Sequence, residues 1–348
     1  MEGSRSILSA YASPGNDAEP RRTIGQAADG ERIGLGRIWI SEKWEGKEAG
    51  AICGAASQVT QSIGIVAGLI RAAARHPLAA AGLGATMQRL SGNRFAIGLG
   101  RSSPDRLRKQ GLPVFQNAHL RDYARILRQL WAGERVSYEG PLGRYEDLVL
   151  LQTPERPPQI ILGATGPKTL ALGGQIFDGV VLHPFLTTEG VKRSIDIVRN
   201  AAADAGRDPS QVKITACVVT APDFLSPEDR LAILEARAVT YLRSPMLGGA
   251  ITEMNGWDNA PIEALANSEL RTLEPRGADA DRVVKLRAEG GKSLPAEWLV
   301  EGAAVGSVEN CIGRLREYAA VGADEILVHG LTTDRLGAIA AAFSPQPV

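Results

Sequence analysis

Eight short apolar runs constrain this chain more than any other feature of its sequence. They fall at residues 7–11, 37–41, 62–68, 94–100, 159–164, 179–184, 213–219 and 325–330. Most are apolar throughout and do not alternate with polar residues, which is the pattern of strands covered on both faces. Longer segments of helical character separate them. Residues 21–33 follow a polar Pro/Gly loop, and 47–60 and 77–90 are rich in alanine, a strong helix former. Pro77 suits a first helical turn, and Ser91-Gly92 ends that helix. In 120–132 the stripe Tyr123, Ile126, Leu127, Leu130 and Trp131 recurs at helical spacing. Helices are also expected at 191–205 and 307–320, the latter opening on Ser307 with Asn310 three residues on. Strand and helix in alternation predict a parallel sheet. Eight parallel strands close into a (β/α)8 barrel of the α/β class, filled by its own side chains.

Two stretches depart from the alternation. Residues 133–158 hold Val136-Ser137-Tyr138 and Leu148-Val149-Leu150 around a Gly-Pro-Leu-Gly turn and predict a hairpin before the fifth barrel strand. Residues 243–299 are long, Gly-rich and irregular, and predict an insertion around the seventh unit, partly helical and lid-like. A length of 348 residues is ordinary for one α/β barrel domain.

Lys plus Arg and Asp plus Glu both number 39, so no net charge draws the chain to nucleic acid or a membrane surface. Cys53, Cys217 and Cys311 are scattered and form no CxxC pair, as expected in a reducing cytoplasm. No apolar run approaches the roughly 18 residues of a membrane helix, and residues 1–5 lack the build of a signal peptide. The four histidines show neither i, i+4 spacing nor an HExxH setting, so no metal centre is expected. No G-x-S-x-G elbow is present.

In such a barrel the chemistry belongs at the C-terminal ends of the strands. After the second run come Ser41, Glu42, Lys43 and Trp44, a polar and aromatic rim or else a solvated loop. The third run ends at Gly68-Leu69-Ile70, where a glycine marks a bulge or a simple turn. The fourth ends Gly98-Leu99-Gly100-Arg101-Ser102-Ser103, which lacks the third glycine of a dinucleotide fingerprint. The fifth ends Ala164-Thr165-Gly166-Pro167-Lys168. Pro167 suits the first helical position, Gly166 leaves the free amides approachable, and Thr165 and Lys168 add a hydroxyl and a charge. That turn is a natural phosphate site, or an ordinary well-capped helix. His183 and His329 end the sixth and eighth runs and suit either ligand contact or structure, whereas His119 precedes a helix as a cap.

Several segments together resemble the luciferase-like monooxygenase superfamily, and within it the actinobacterial branch that uses the deazaflavin coenzyme F-420. They are Trp39-Ile40-Ser41-Glu42-Lys43-Trp44, Arg75-His76-Pro77-Leu78, the run from Met87 to Gly100 with its Leu-Ser-Gly-x-Arg-Phe-x-x-Gly-Leu-Gly core, Tyr123 to Gly133, and Gly163 to Lys168. The resemblance implies a homodimeric oxidoreductase that passes a hydride between F-420 and a small organic substrate. FMN with O₂ in a monooxygenase, or cofactor binding without turnover, are the alternatives. It implies a non-prolyl cis peptide at Gly68-Leu69 against the ring. Cofactor contacts are expected from Ser41, Trp44, Gly100, Ala164, Thr165, Gly166, Pro167 and Lys168, with proton transfer from Glu42, Lys43 or His183. Arg71, Arg75 and Arg101 are candidates for a basic path along the anionic tail of F-420. The chain departs from the branch in carrying Glu42-Lys43 where an Asp-His pair is common, Ile70 where a hydroxyl residue often stands, and Arg101-Ser102-Ser103 where a carboxylate sometimes follows.

Overall fold

A computed structural model describes residues 6–13, 19–43, 46–268 and 294–343. Its strands are β1 (Leu8–Ala12), β2 (Arg37–Ile40), β3 (Gly64–Arg71), β4 (Phe95–Gly100), β5 (Val136–Gly140), β6 (Gly143–Leu148), β7 (Gln159–Ala164), β8 (Gly179–Leu182), β9 (Lys213–Pro222), β10 (Ala303–Gly306) and β11 (Glu325–His329). Eight of them close a parallel ring in the order β1, β2, β3, β4, β7, β8, β9, β11 and back to β1. Each expected strand has its place in the ring, and the chain forms the (β/α)8 barrel that the apolar runs predicted. β5 and β6 form the expected antiparallel hairpin, although β6 ends at Leu148, where the second strand was expected to begin.

The side-chain period of two sorts the barrel interior into layers. Near the bottom, Glu325 accepts from Ser9 Oγ at 2.5 Å, Trp39 Nε1 at 2.8 Å and Thr215 Oγ1 at 3.2 Å, and pairs with Arg37 at 3.2 Å. Above it Trp39, Val66, Ala96, Ile161, Val181, Cys217 and Leu327 pack as one apolar plug. Tyr11 and Leu69 border that plug, so the next layer is the barrel mouth.

Arg94, the arginine of the family-like core motif, is a structural clamp. Its guanidinium donates to the carbonyls of Ser91, Ile63 and Thr60 at 2.6, 2.5 and 2.9 Å, and to that of Ser57 at 3.4 Å. Two of these carbonyls, Ser57 and Ser91, lie in the last turns of the helices Ala49–Gln58 and Pro77–Ser91, where acceptors lack intrahelical donors.

Between β9 and β11 the chain leaves the barrel. The upper half of β9 pairs with β10, and the outer helix that returns the chain to β11 is Val308–Ala320, capped by Ser307. The intervening excursion holds the helices Pro227–Leu242, Pro245–Asn255, Ala260–Ala266 and Ala296–Glu301. It thus begins before residue 243, because Pro227–Leu242 contacts the ends of β8 and β11 through Tyr241 and Arg237. Residues 269–293 of the expected insertion lie outside the described residues. Among the described residues no helix is long and apolar enough to cross a membrane.

Candidate active site

The third strand shapes the floor of the mouth. Ala67 pairs with Ile97 and Ile70 with Leu99, so Gly68 and Leu69 together oppose Gly98, and the strand bulges there. The Gly68-Leu69 peptide is cis, as the family resemblance implied. A Cβ on Gly68 would stand 2.5 Å from the Trp39 ring, so only glycine fits beside the indole. The bulge turns Leu69 over the neighbouring strands. Cβ atoms built on Gly98, Gly100 and Gly163 would approach the Leu69 side chain to 2.9, 3.3 and 2.3 Å. Three glycines of β4 and β7 therefore form a bed for one leucine, which remains only partly buried at the mouth.

Next to this floor stands the helix Pro167–Ile176. Its cap residue Gly166 makes no side-chain capping bond, and Pro167 occupies the first turn as expected. Ala164 is buried, Thr165 and Gly166 are half-buried, and Pro167 and Lys168 are exposed. Arg101, at the end of β4, donates from Nη2 to Thr169 Oγ1 of the same helix at 3.2 Å. Burial depresses the Arg101 pKa, and no carboxylate pairs with it among the described residues. A half-buried cation without an acid beside an uncapped helix start is a donor set suited to a phosphate.

The rim after β2 is organised differently from a free acid/base pair. Glu42 is buried, accepts the Arg71 backbone N–H at 3.1 Å and pairs with Arg75 Nη2 at 2.5 Å. Arg75 also bridges to Glu48 and donates nothing from its buried Nε. These two carboxylates raise the Arg75 pKa against the effect of burial. Of the expected basic path, Arg75 is thus neutralised, Arg71 is buried and donates to Gln110 at 3.0 Å, and Arg101 alone keeps its charge uncompensated among the described residues. Ser41 and Lys43 are half-buried, and Lys43 bridges back to Lys47. Trp44 lies outside the described residues.

Opposite the Leu69 floor is a cluster that the strand-end survey caught only in part. His183 Nδ1 lies 3.0 Å from the Pro184 carbonyl, which can only accept, so Nδ1 carries the proton and Nε2 the lone pair. Burial depresses the His183 pKa to about 4. Its ring meets Tyr241 edge-on at 4.7 Å. Tyr241 Oη lies 3.0 Å from His329 Nε2, and the His329 ring tilts against Tyr11 at 5.1 Å. Arg237 Nη1 stands 3.0 and 2.7 Å from the two His329 ring nitrogens. The loop carrying His183 is pinned from the excursion. Phe185 has a φ of 67°, its carbonyl accepts from Asn255 Nδ2 at 2.8 Å, and Asn255 Oδ1 accepts from Thr187 N–H at 2.9 Å.

Sequence reasoning placed His183 and His329 at the mouth but missed Tyr11, Arg237 and Tyr241. Tyr11 was accessible to it, since it follows inward-facing Ser9 by two residues. Arg237 and Tyr241 share one helix face at i, i+4, which a helix packed outside the barrel would turn elsewhere. His119 is a cap, accepting the Gln116 N–H at 3.1 Å.

A family model described as luciferase-like monooxygenase matches residues 3–325. An F-420-dependent hydroxymycolic acid dehydrogenase of Mycobacterium tuberculosis is 27% identical over 207 residues, covering 54% of this chain and 56% of that protein. A 5,10-methylenetetrahydromethanopterin reductase of Methanolobus tindarius is 26% identical over 190 residues, covering 53% and 57%. The chain thus spans little more than half the length of these relatives. Among solved structures, the F-420-dependent tetrahydromethanopterin reductase of Methanopyrus kandleri superposes with a TM-score of 0.79 at 16% identity, covering 96% of both chains. A monooxygenase from Streptomyces bottropensis superposes at 0.64 and 19% identity, covering 97% of both. At these identities the likeness is one of fold.

Proposed function

The chain belongs to the luciferase-like monooxygenase family, and from that premise we propose that it is a coenzyme F-420-dependent oxidoreductase acting on a small organic substrate. The observation that carries this reading is Arg101, a cation without an acid among the described residues, set beside the open helix start at Gly166 and next to the Leu69 floor. The residues present fit a phosphorylated tricyclic group. Thr165, Gly166, Lys168 and Arg101 would hold its phosphate, and Gly68, Leu69 and Gly100 would support one ring face. Ser41 would stand at the ring edge. When bound, F-420 supplies two-electron hydride chemistry, and the protein supplies orientation, proton handling and exclusion of water.

Proton handling falls to His183. Its Nε2 lone pair has no partner among the described residues, and the ring is neutral above about pH 4. A neutral imidazole of fixed tautomer accepts a proton from a substrate hydroxyl, or relays one to it. Glu42, held by Arg75 and the Arg71 amide, positions the third-strand bulge instead. Lys43 adds positive charge near His329. The reading extends to a homodimer, as the family resemblance implies, and to the cytoplasm, which the sparse cysteines fit.

The test is a titration of the full chain with F-420 and FMN side by side. Saturable binding of F-420, weakened by Arg101→Gln, is expected. Saturation by FMN alone would favour an FMN-dependent monooxygenase; monooxygenase is the activity named for several proteins of the same fold.

A further inference from the structure

We propose that Arg237 is the anchor of a carboxylate-binding subsite at the barrel mouth, and that the substrate of this protein carries a carboxylate. The proposal rests on the reading above only in placing the substrate on the cofactor side of the mouth.

Arg237 stands on Pro227–Leu242, the excursion helix that reaches the ends of β8 and β11. Its neighbours are Tyr11, Cys217, Tyr241 and His329, and no carboxylate pairs with it among the described residues. Its Nε is buried and lacks an acceptor. A guanidinium presents five N–H donors and no acceptor. The surroundings offer very little to receive them. A neutral imidazole has one lone pair, and the Tyr241 hydroxyl lies within 3.0 Å of the same His329 nitrogen that Arg237 approaches.

These neighbours do not supply negative charge. Burial raises the Tyr11 and Tyr241 hydroxyls and pushes the Cys217 thiol up to about 12, so all three stay protonated at neutral pH. Burial, Arg237, His183 and Lys43 together hold His329 well below its ordinary value, so it is neutral too. Glu325, which acts electrostatically on Tyr11, is engaged at the barrel bottom by Ser9, Trp39, Arg37 and Thr215. Among the described residues the site therefore holds a positive charge with unfilled donors and no counter-charge. A planar carboxylate answers both needs, because two oxygens match the guanidinium fork and cancel its charge. The aromatic rings of Tyr11 and Tyr241 favour an apolar body attached to that carboxylate.

The probes are benzoate and hexanoate against their neutral amides, benzamide and hexanamide, titrated calorimetrically into the full chain with and without F-420. Both carboxylates are expected to bind and both amides to bind far more weakly. Arg237→Gln is expected to weaken carboxylate binding about 10- to 100-fold, the loss of a charge-assisted hydrogen-bonded pair, with F-420 affinity unchanged. Arg237→Lys, which keeps the charge and loses the fork, is expected to fall between the two. A cooperative melt for each variant establishes that it is folded. Amides binding as tightly as carboxylates, absence of binding by both carboxylates, or unchanged carboxylate affinity in Arg237→Gln would each overturn the proposal. Loss of F-420 affinity in Arg237→Gln would overturn it as well, since the anion site would then be the cofactor's own. Failure of F-420 to bind the unmodified chain while carboxylates still bind through Arg237 counts against the proposed cofactor and leaves the subsite standing.

Discussion

Leu69 occupies the space that a side chain at Gly163 would need: a Cβ there would stand 2.3 Å from Leu69 Cδ1. Gly163→Ala should destabilise the barrel by about 1–3 kcal/mol, the usual cost of overpacking. Leu69→Ala in the same chain should relieve that clash. In a double-mutant cycle by urea unfolding, the two changes should then cost less together than their separate costs added. Strict additivity would mean that the leucine does not lie over the β7 glycine.

Arg94→Ala should lower stability by roughly 2–4 kcal/mol, because it strips donors from several partly buried carbonyls at once. Its effect belongs to the barrel bottom, so F-420 affinity should stay within about twofold of the parent for a folded variant, well below the tenfold that 1.4 kcal/mol represents. A selective loss of cofactor affinity without loss of stability would contradict the clamp.

Arg75→Met removes the Arg75 partner from the buried Glu42 carboxylate and should cost about 3 kcal/mol, the lower end for a broken buried pair. Glu42→Gln in the same chain should recover a good part of it, because an amide needs no counter-charge. Thermal unfolding of the four proteins of this cycle checks the point. No recovery would mean that Arg75 acts mainly through Glu48.

Stability should decline on the acid side. His183 is held at about 4 against an ordinary 6.5, and His329 also lies well below its ordinary value. Between these values the unfolded chain binds protons that the native one refuses, so their contribution is whole above about pH 6.5 and is lost as pH falls toward 4. His183→Gln should flatten the urea midpoint across that interval. An unchanged slope would mean that the ring is solvated in the folded protein.

The barrel strands were legible because a strand covered on both faces must be apolar along its length, as Ile160 to Leu162 and Val180 to Leu182 are. β6 was harder to place, since Gly143–Leu148 is largely solvent-exposed and its Arg-Tyr-Glu-Asp centre carries no core signal. β10 escaped because Ala303–Gly306 is four small residues appended to an already paired β9. At the site, Pro167 and Gly166 announced a helix start in their own covalent chemistry, so that turn could be read directly. Arg237 could not. Nothing in Pro227–Leu242 distinguishes a helix reaching over the barrel from one packed along its side, and only that placement gives the arginine its neighbours.

The bond from Ser9 to Glu325 joins positions 316 residues apart, across the seam where β1 meets β11. On a ribosome β1 therefore emerges more than three hundred residues before its partner β11 and waits, with one edge unpaired, until β11 has been made. Such an edge recruits other strands if it is left open. A nascent chain arrested before β11 should accordingly need a chaperone's protection, and the same chain completed should release it.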